Sequence, residues 1–130
     1  MPTSLTPMLT VHDAAGAIEF YERAFGALEL RRETTPSGQI VAELEINGER
    51  FFVVDENPDA FNLSPSTLGG TSVRMNLVVT DADASSQRAV AAGATVIFPV
   101  ADQPYGLRQG RVQDRYGHHW LLGTPLAGHG

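Results

Sequence analysis

The side chains able to do chemistry in this 130-residue chain are few and scattered. His118 and His119 are imidazoles, suited to proton transfer or metal ligation near neutral pH. Neighbours on a strand point to opposite faces, so the two cannot share a metal from one chain. His118 falls at a turn, where hydrogen bonding to backbone accounts for it, while His119 should look into a cavity. Glu43 and Glu45 lie two apart on one strand face and could line a groove, although a solvated sheet face is the simpler explanation. The loop 102–110 holds Tyr105 and Arg108. Arg108 could offer a guanidinium fork to a carboxylate or phosphonate, or pair with Asp102 or Asp114. His12 precedes a helix cap and reads as a surface loop residue, and His129 sits in a tail, 127–130, expected to be flexible. The absence of cysteine excludes thiol catalysis, disulfides and thiolate metal sites. No glycine-rich phosphate cradle, Ser-His-Asp set or paired-carboxylate signature stands out.

The elements that must position these residues come in two matching series. Leu9-Thr10-Val11-His12-Asp13 heads the first half and Leu77-Val78-Val79-Thr80-Asp81 the second. Each leads into a helical stretch that ends in Gly-Ala, at Gly26-Ala27 and Gly93-Ala94. Further on, Gly48 to Val54 resembles Gly117 to Gly123, a turn followed by an apolar strand. Two matches in the same order imply a duplication, with two equivalent surfaces and a site between them. In the first half, Leu5 to Val11 reads as a strand and Asp13 as an N-cap. The spacing of Ala17, Ile18, Tyr21, Ala24 and Phe25 predicts a helix with one buried stripe over 14–25, stopped by Gly26. Strands follow at 28–34, 39–46 and 51–54, the last two joined by the hairpin signal Asn47-Gly48. The half is β-α-β-β-β. Proline, asparagine and paired glycines mark 55–70 as the connection. The second half repeats the order with strands at 72–80, 95–100, 109–113 and 118–122 and a helix at 83–92.

Composition agrees with one compact unit. At 42% hydrophobic and 18% charged residues, a chain this long builds one core, so the repeats are halves of a single domain over 1–126. Module one covers 5–55, the linker 56–70 and module two 71–124. Nine basic residues against fifteen acidic ones argue against a nucleic-acid partner. No apolar run approaches the ~18 residues of a membrane span and no secretory signal is read, so the expected compartment is the cytoplasm.

The stretch Asp13-Ala14-Ala15-Gly16-Ala17-Ile18-Glu19-Phe20-Tyr21-Glu22-Arg23-Ala24-Phe25-Gly26-Ala27, with Asp114-Arg115-Tyr116-Gly117-His118-His119-Trp120, resembles the vicinal oxygen chelate superfamily of glyoxalases, dioxygenases and bleomycin-resistance proteins. Gln103-Pro104-Tyr105-Gly106-Leu107-Arg108-Gln109-Gly110 is similar to a pattern in its small glyoxalase-like members of the phosphonate-operon type. The resemblance implies an α+β fold in which tandem βαβββ modules form a curved mixed sheet around a cleft, and a homodimer with ligand sites near the subunit interface.

It also implies four metal positions, on the first and fourth strands of each half. These positions match Thr6, Phe52, Arg74 and Leu121, none of which supplies the imidazole nitrogen or carboxylate oxygen a divalent ion needs. The expectation is therefore no metal and no cofactor. Strand alternation from these positions makes the inward set Thr6, Met8, Arg50, Phe52, Val54, Arg74, Asn76, His119 and Leu121, with Tyr105 and Arg108 closing over it. Trp120, on the opposite face, is expected to pack beneath a helix. Such a lining suits a metal-free protein that binds a small, partly aromatic molecule. The alternative is a metal-dependent lyase, isomerase or dioxygenase of the glyoxalase type with unorthodox ligands, for instance His119 with Glu43 or with groups from a partner chain.

Overall fold

A computed structural model describes residues 2–127. The chain forms β1 (Met8–Val11), α1 (Ala14–Phe25), β2 (Leu28–Thr34), β3 (Ile40–Ile46) and β4 (Glu49–Asp55). A 3-10 turn at Pro58–Ala60 and the short helix α2 (Pro65–Leu68) carry the connection. Then come β5 (Arg74–Val78), α3 (Ala82–Ala92), β6 (Thr95–Asp102), β7 (Leu107–Gln113) and β8 (His119–Pro125). The strands make two open four-stranded mixed sheets of the same design, ordered β1-β4-β3-β2 and β5-β8-β7-β6, rather than one continuous sheet. In each, the first and last strands run parallel and the other pairs antiparallel.

Both helices start the same way because both halves carry the same short code. Asp13 accepts from the backbone N–H of Gly16 at 3.1 Å and Asp81 from that of Ala84 at 3.0 Å, each satisfying one orphan donor of the first turn. The last strand of each module ties down the next N–H: Asp55 accepts from Ala14 and Thr124 from Ala82. Gly26 ends α1 at φ +70, the left-handed conformation that favours glycine. β1 starts three residues later than the alternation of Leu5 to Val11 predicts. Pro7 has no N–H to extend the ladder, and its carbonyl instead accepts from Phe52 N at 2.9 Å. Thr6 therefore precedes the strand.

The helices pack on each other, with Arg88 of α3 donating from its guanidinium to the carbonyl of Arg23 at the end of α1. One core lies between helices and sheets, built from Ile18, Tyr21, Leu44, Val53, Trp120 and Leu122 among others. Trp120 is buried as expected, and it belongs as much to the first module as to its own. Its indole packs 4.6 Å from the ring centroid of Phe25 and 5.4 Å from that of Tyr21. Among the described residues no helix is long and apolar enough to cross a membrane.

Candidate functional site

The faces turned away from the helices carry the residues expected to line a site. In the first module Met8 pairs with Phe52 and Thr10 with Val54; in the second Arg74 pairs with His119 and Asn76 with Leu121. Paired residues share a face, so within each module the expected set is coherent. Between modules it is not gathered into one cleft. Arg74, Tyr105 and Leu121 line a hollow of about 280 Å³ on the second sheet. Arg50 and Asn76 share another of about 420 Å³ between the modules, and Met8 and Val54 a third of about 180 Å³ on the first sheet. The reason is topological: two separate sheets joined through their helices present two open faces.

Arg108 does not reach over the site as a free fork. Its guanidinium makes a two-pronged pair with Asp83 at 2.7 and 3.0 Å and a third bond to Asp102 at 3.0 Å. These bonds also hold the Asp83 carboxyl below its ordinary range. Tyr105 stays near the hollow, its hydroxyl donating to Gln109 Oε1 at 2.5 Å. His118 takes its expected backbone role, bonding through Nε2 to the carbonyl of Thr10 at 2.8 Å, and so bridges the modules. His129 lies outside the described residues. Glu43 is far from a bare solvated acid: it sits between Arg31 at 3.4 Å and Arg50 at 3.7 Å.

Two residues prove important in ways the sequence did not show: Asp114, expected only as a partner for Arg108, with which it does not pair, and Arg111. Asp114 is buried and accepts four hydrogen bonds: from Tyr21 OH at 2.5 Å, Trp120 Nε1 at 3.0 Å, and the backbone N–H groups of Tyr116 at 2.8 Å and His118 at 3.0 Å. Complete burial, and next the Asp114 charge, push the Tyr21 phenol well above its ordinary value of 10.0, so it stays a donor. The other is Arg111, across the ladder from Leu121 on the face that also holds Arg74 and His119. Alternation of Gln109, Arg111 and Gln113 with Gly110 and Val112 was the signal that could have placed it.

The second face is electropositive. Arg111 lies 5.7 Å over the Phe98 ring, and its Nε is buried without a hydrogen-bond partner. Neither Arg74 nor Arg111 forms an ion pair among the described residues, and no acid lines the hollow. His119 Nδ1 is likewise buried and unpartnered. Burial, reinforced by the nearby Arg111 charge, holds the imidazole below its ordinary 6.5, so it is neutral at pH 7.

These groups do not fit a divalent metal. No cluster of three His, Cys, Asp or Glu side chains able to hold an ion occurs among the described residues. At the strand positions that would supply ligands stand Phe52, Arg74 and Leu121, with Thr6 just before β1. A guanidinium there repels a dication, and the alternative ligand Glu43 already has two arginine partners.

Two βαβββ modules that leave open sheet faces for a ligand define the class, and the sequence agrees with the architecture. Residues 5–122 match the Glyoxalase/Bleomycin resistance protein/Dioxygenase superfamily, and the chain belongs to it. Its relatives include the uncharacterised protein Rv0887c of Mycobacterium tuberculosis, 47% identical over 127 residues, covering 95% of this chain and 75% of that protein. TioX from Micromonospora sp. ML1 is similar in structure, with a TM-score of 0.71 and 28% identity over 96% of this chain and all of TioX (100%). FosX, a fosfomycin resistance protein from Listeria monocytogenes, shares the fold at a TM-score of 0.74 but only 17% identity, over 98% of this chain and 97% of its own.

Proposed function

We propose that this protein is a metal-independent, small-molecule-binding member of the superfamily, acting in the cytoplasm as a homodimer that takes its ligand on the open sheet faces. The observation that carries the reading is the donor set at the four positions where the superfamily's enzymes resemble one another in holding metal. Thr6, Phe52, Arg74 and Leu121 offer a hydroxyl, two apolar groups and a cation. A face of cations, amides and apolar rings suits the recognition of an organic molecule. Dimerisation is supported by the apolar side chains that one chain leaves bare, among them Leu28, Val73 and Val78.

Metal analysis of purified protein tests the reading, together with thermal-shift titrations against Ni²⁺, Zn²⁺ and Mn²⁺. A ligand of the native state must raise its apparent stability. The expected result is no stoichiometric metal and no saturable rise in melting temperature, with native mass spectrometry giving a dimer and any small molecule retained from the cell. The second reading, a metal-dependent lyase, isomerase or dioxygenase, draws on the unpartnered Nδ1 of His119. Stoichiometric metal, with a thermal shift lost on His119→Ala, would establish it instead.

A further inference from the structure

We infer that the open face of the second module is an oxyanion subsite, which takes a small organic acid by its charged group on Arg74 and Arg111 and by its body on Phe98 and Leu121. The inference rests on the reading of the sheet faces as ligand sites and names what the second one takes.

Four observations converge on it. The chain as a whole is acidic, with a formal charge of −6, yet two of its nine basic residues share one hollow that no carboxylate lines. The other charged clusters are internally matched: Glu43 lies between Arg31 and Arg50, Glu29 pairs with Arg32, and Asp83 and Asp102 pair with Arg108. Next, the Arg111 guanidinium is partly withdrawn from water without compensation. Its Nε is buried and unbonded, and the guanidinium forms no ion pair with any described acid. Buried polar groups in folded proteins are almost always satisfied, and a guanidinium left short of counter-charge in such a setting favours an anion that supplies it.

The third observation concerns the neutral donors. Tyr105 OH occupies Gln109 Oε1, which leaves the Gln109 amide N–H₂ as the end without a partner, so this side chain too offers hydrogen rather than lone pairs. Finally, the hollow, at about 280 Å³, is slightly smaller than the roughly 300 Å³ at which small-molecule sites usually begin. It suits an acid with one ring or a short chain, and the exposed Phe98 ring, already under the Arg111 cation, supplies the apolar wall. A dication is disfavoured by the same two guanidiniums, and a neutral ligand would leave them uncompensated.

The test uses the full ¹⁵N-labelled chain titrated with benzoate, benzamide and inorganic phosphate, following the arginine Nε–Hε and backbone resonances. Benzoate is expected to move Arg111 Nε–Hε and the Phe98 and Leu121 amides saturably. Benzamide, its neutral counterpart, should bind about 10-fold more weakly or worse, the usual weight of a charge-assisted hydrogen bond. Phosphate should move Arg111 while leaving Phe98 less perturbed. Arg111→Gln is expected to weaken benzoate by about 10-fold or more and the exposed Arg74→Gln by less, whereas Arg23→Gln, on the helix surface, changes nothing. Equal binding of benzamide and benzoate on this face would overturn the inference while leaving the small-molecule reading intact. So would anion shifts that never saturate or that fall equally on Arg23 and Arg31. Stoichiometric metal in the purified protein is the separate result that fells the underlying reading.

Discussion

The two modules share one scaffold and part company at two places, the turn before the last strand and the open face of the sheet. In the first module β3 and β4 are joined by Asn47-Gly48, both at positive φ, between the paired Ile46 and Glu49. In the second, the ladder stops at Gln113 and His119, and the longer loop between them carries Asp114, Tyr116 and His118. Those added residues dock on the first module: Asp114 on Tyr21, Tyr116 against Phe20, and His118 on the Thr10 carbonyl. A hairpin turn in one copy is the clasp of the whole domain in the other. On the open face, Glu43 and Arg111 stand at the offset of 68 residues that also separates Asp13 from Asp81, each across the ladder from its module's matching residue, Phe52 or Leu121. One copy holds an acid neutralised by two arginines and the other a cation with no acid. Duplication kept the strands and freed the side chains to specialise.

Breaking the clasp should have the largest effect. Asp114→Ala strands the Tyr21 hydroxyl, the Trp120 indole N–H and two backbone N–H groups, and is expected to cost about 3–5 kcal/mol, as for removal of one partner from a buried charged network. Urea unfolding measures it. The first module has no such loop, and truncating Glu45, the counterpart of Gln113 on a partly open face, should cost under about 1 kcal/mol.

A smaller asymmetry sits at the helix starts, where Gly16 and Ala84 are counterparts. A Cβ on Gly16 would come within 2.6 Å of both the Tyr116 hydroxyl and Asp13 Oδ2. Gly16→Ala is therefore expected to lose about 1 kcal/mol net, overpacking at the module contact outweighing the gain in helix propensity. Ala84→Gly, on an exposed turn of α3, should lose about 0.5–1 kcal/mol through propensity alone. Comparing each with Tyr116→Phe distinguishes the causes, since removing the hydroxyl should relieve part of the first loss, the Asp13 contact remaining, and leave the second unchanged.

Much of this scaffold is legible in the sequence because its signals are local. Asp13 and Asp81 cap, Gly26 and Gly93 terminate, and alternation separates Trp120 from Leu121. What escaped depends on distant partners. The role of Asp114 requires Tyr21, 93 residues away, and its place in a turn motif disguised it. Arg108 and Arg111 look interchangeable as donors; only the packing of α3 against the second sheet shows that Asp83 claims the first and leaves the second free. The extent of β6 was hidden by register shifts between Val96 and Phe98 and between Phe98 and Ala101, which spoil its alternation. A shared cleft could not be read from strand pattern at all, since pattern assigns residues to faces but not faces to each other.

Exchanging the charges on the open faces sharpens the contrast with little effect on folding. Arg111→Glu gives Arg74 an acid and should abolish benzoate binding while changing stability by less than about 1 kcal/mol, because the pair formed is partly exposed. Glu43→Gln should release Arg31 and Arg50 at a similarly small cost and let benzoate perturb the first face, as followed by the Arg50 Nε–Hε resonance.

The smallest effect is a pH dependence confined to the second face. Burial and then Arg111 hold the His119 imidazole below 6.5, with Asp114 pulling in the opposite direction. The folded protein thus binds this proton less readily than the unfolded chain, and by linkage the corresponding stability is present above about pH 6.5 and lost as the pH falls through the lowered folded value. Urea midpoints between pH 7.5 and about 5 should decline less steeply in His119→Gln than in the parent. Arg111→Gln should raise the His119 titration midpoint, read from its ring resonances, by removing a like charge. Saturating benzoate should raise it as well, since an anion on this face favours the imidazolium; an unchanged midpoint would place the bound acid away from His119.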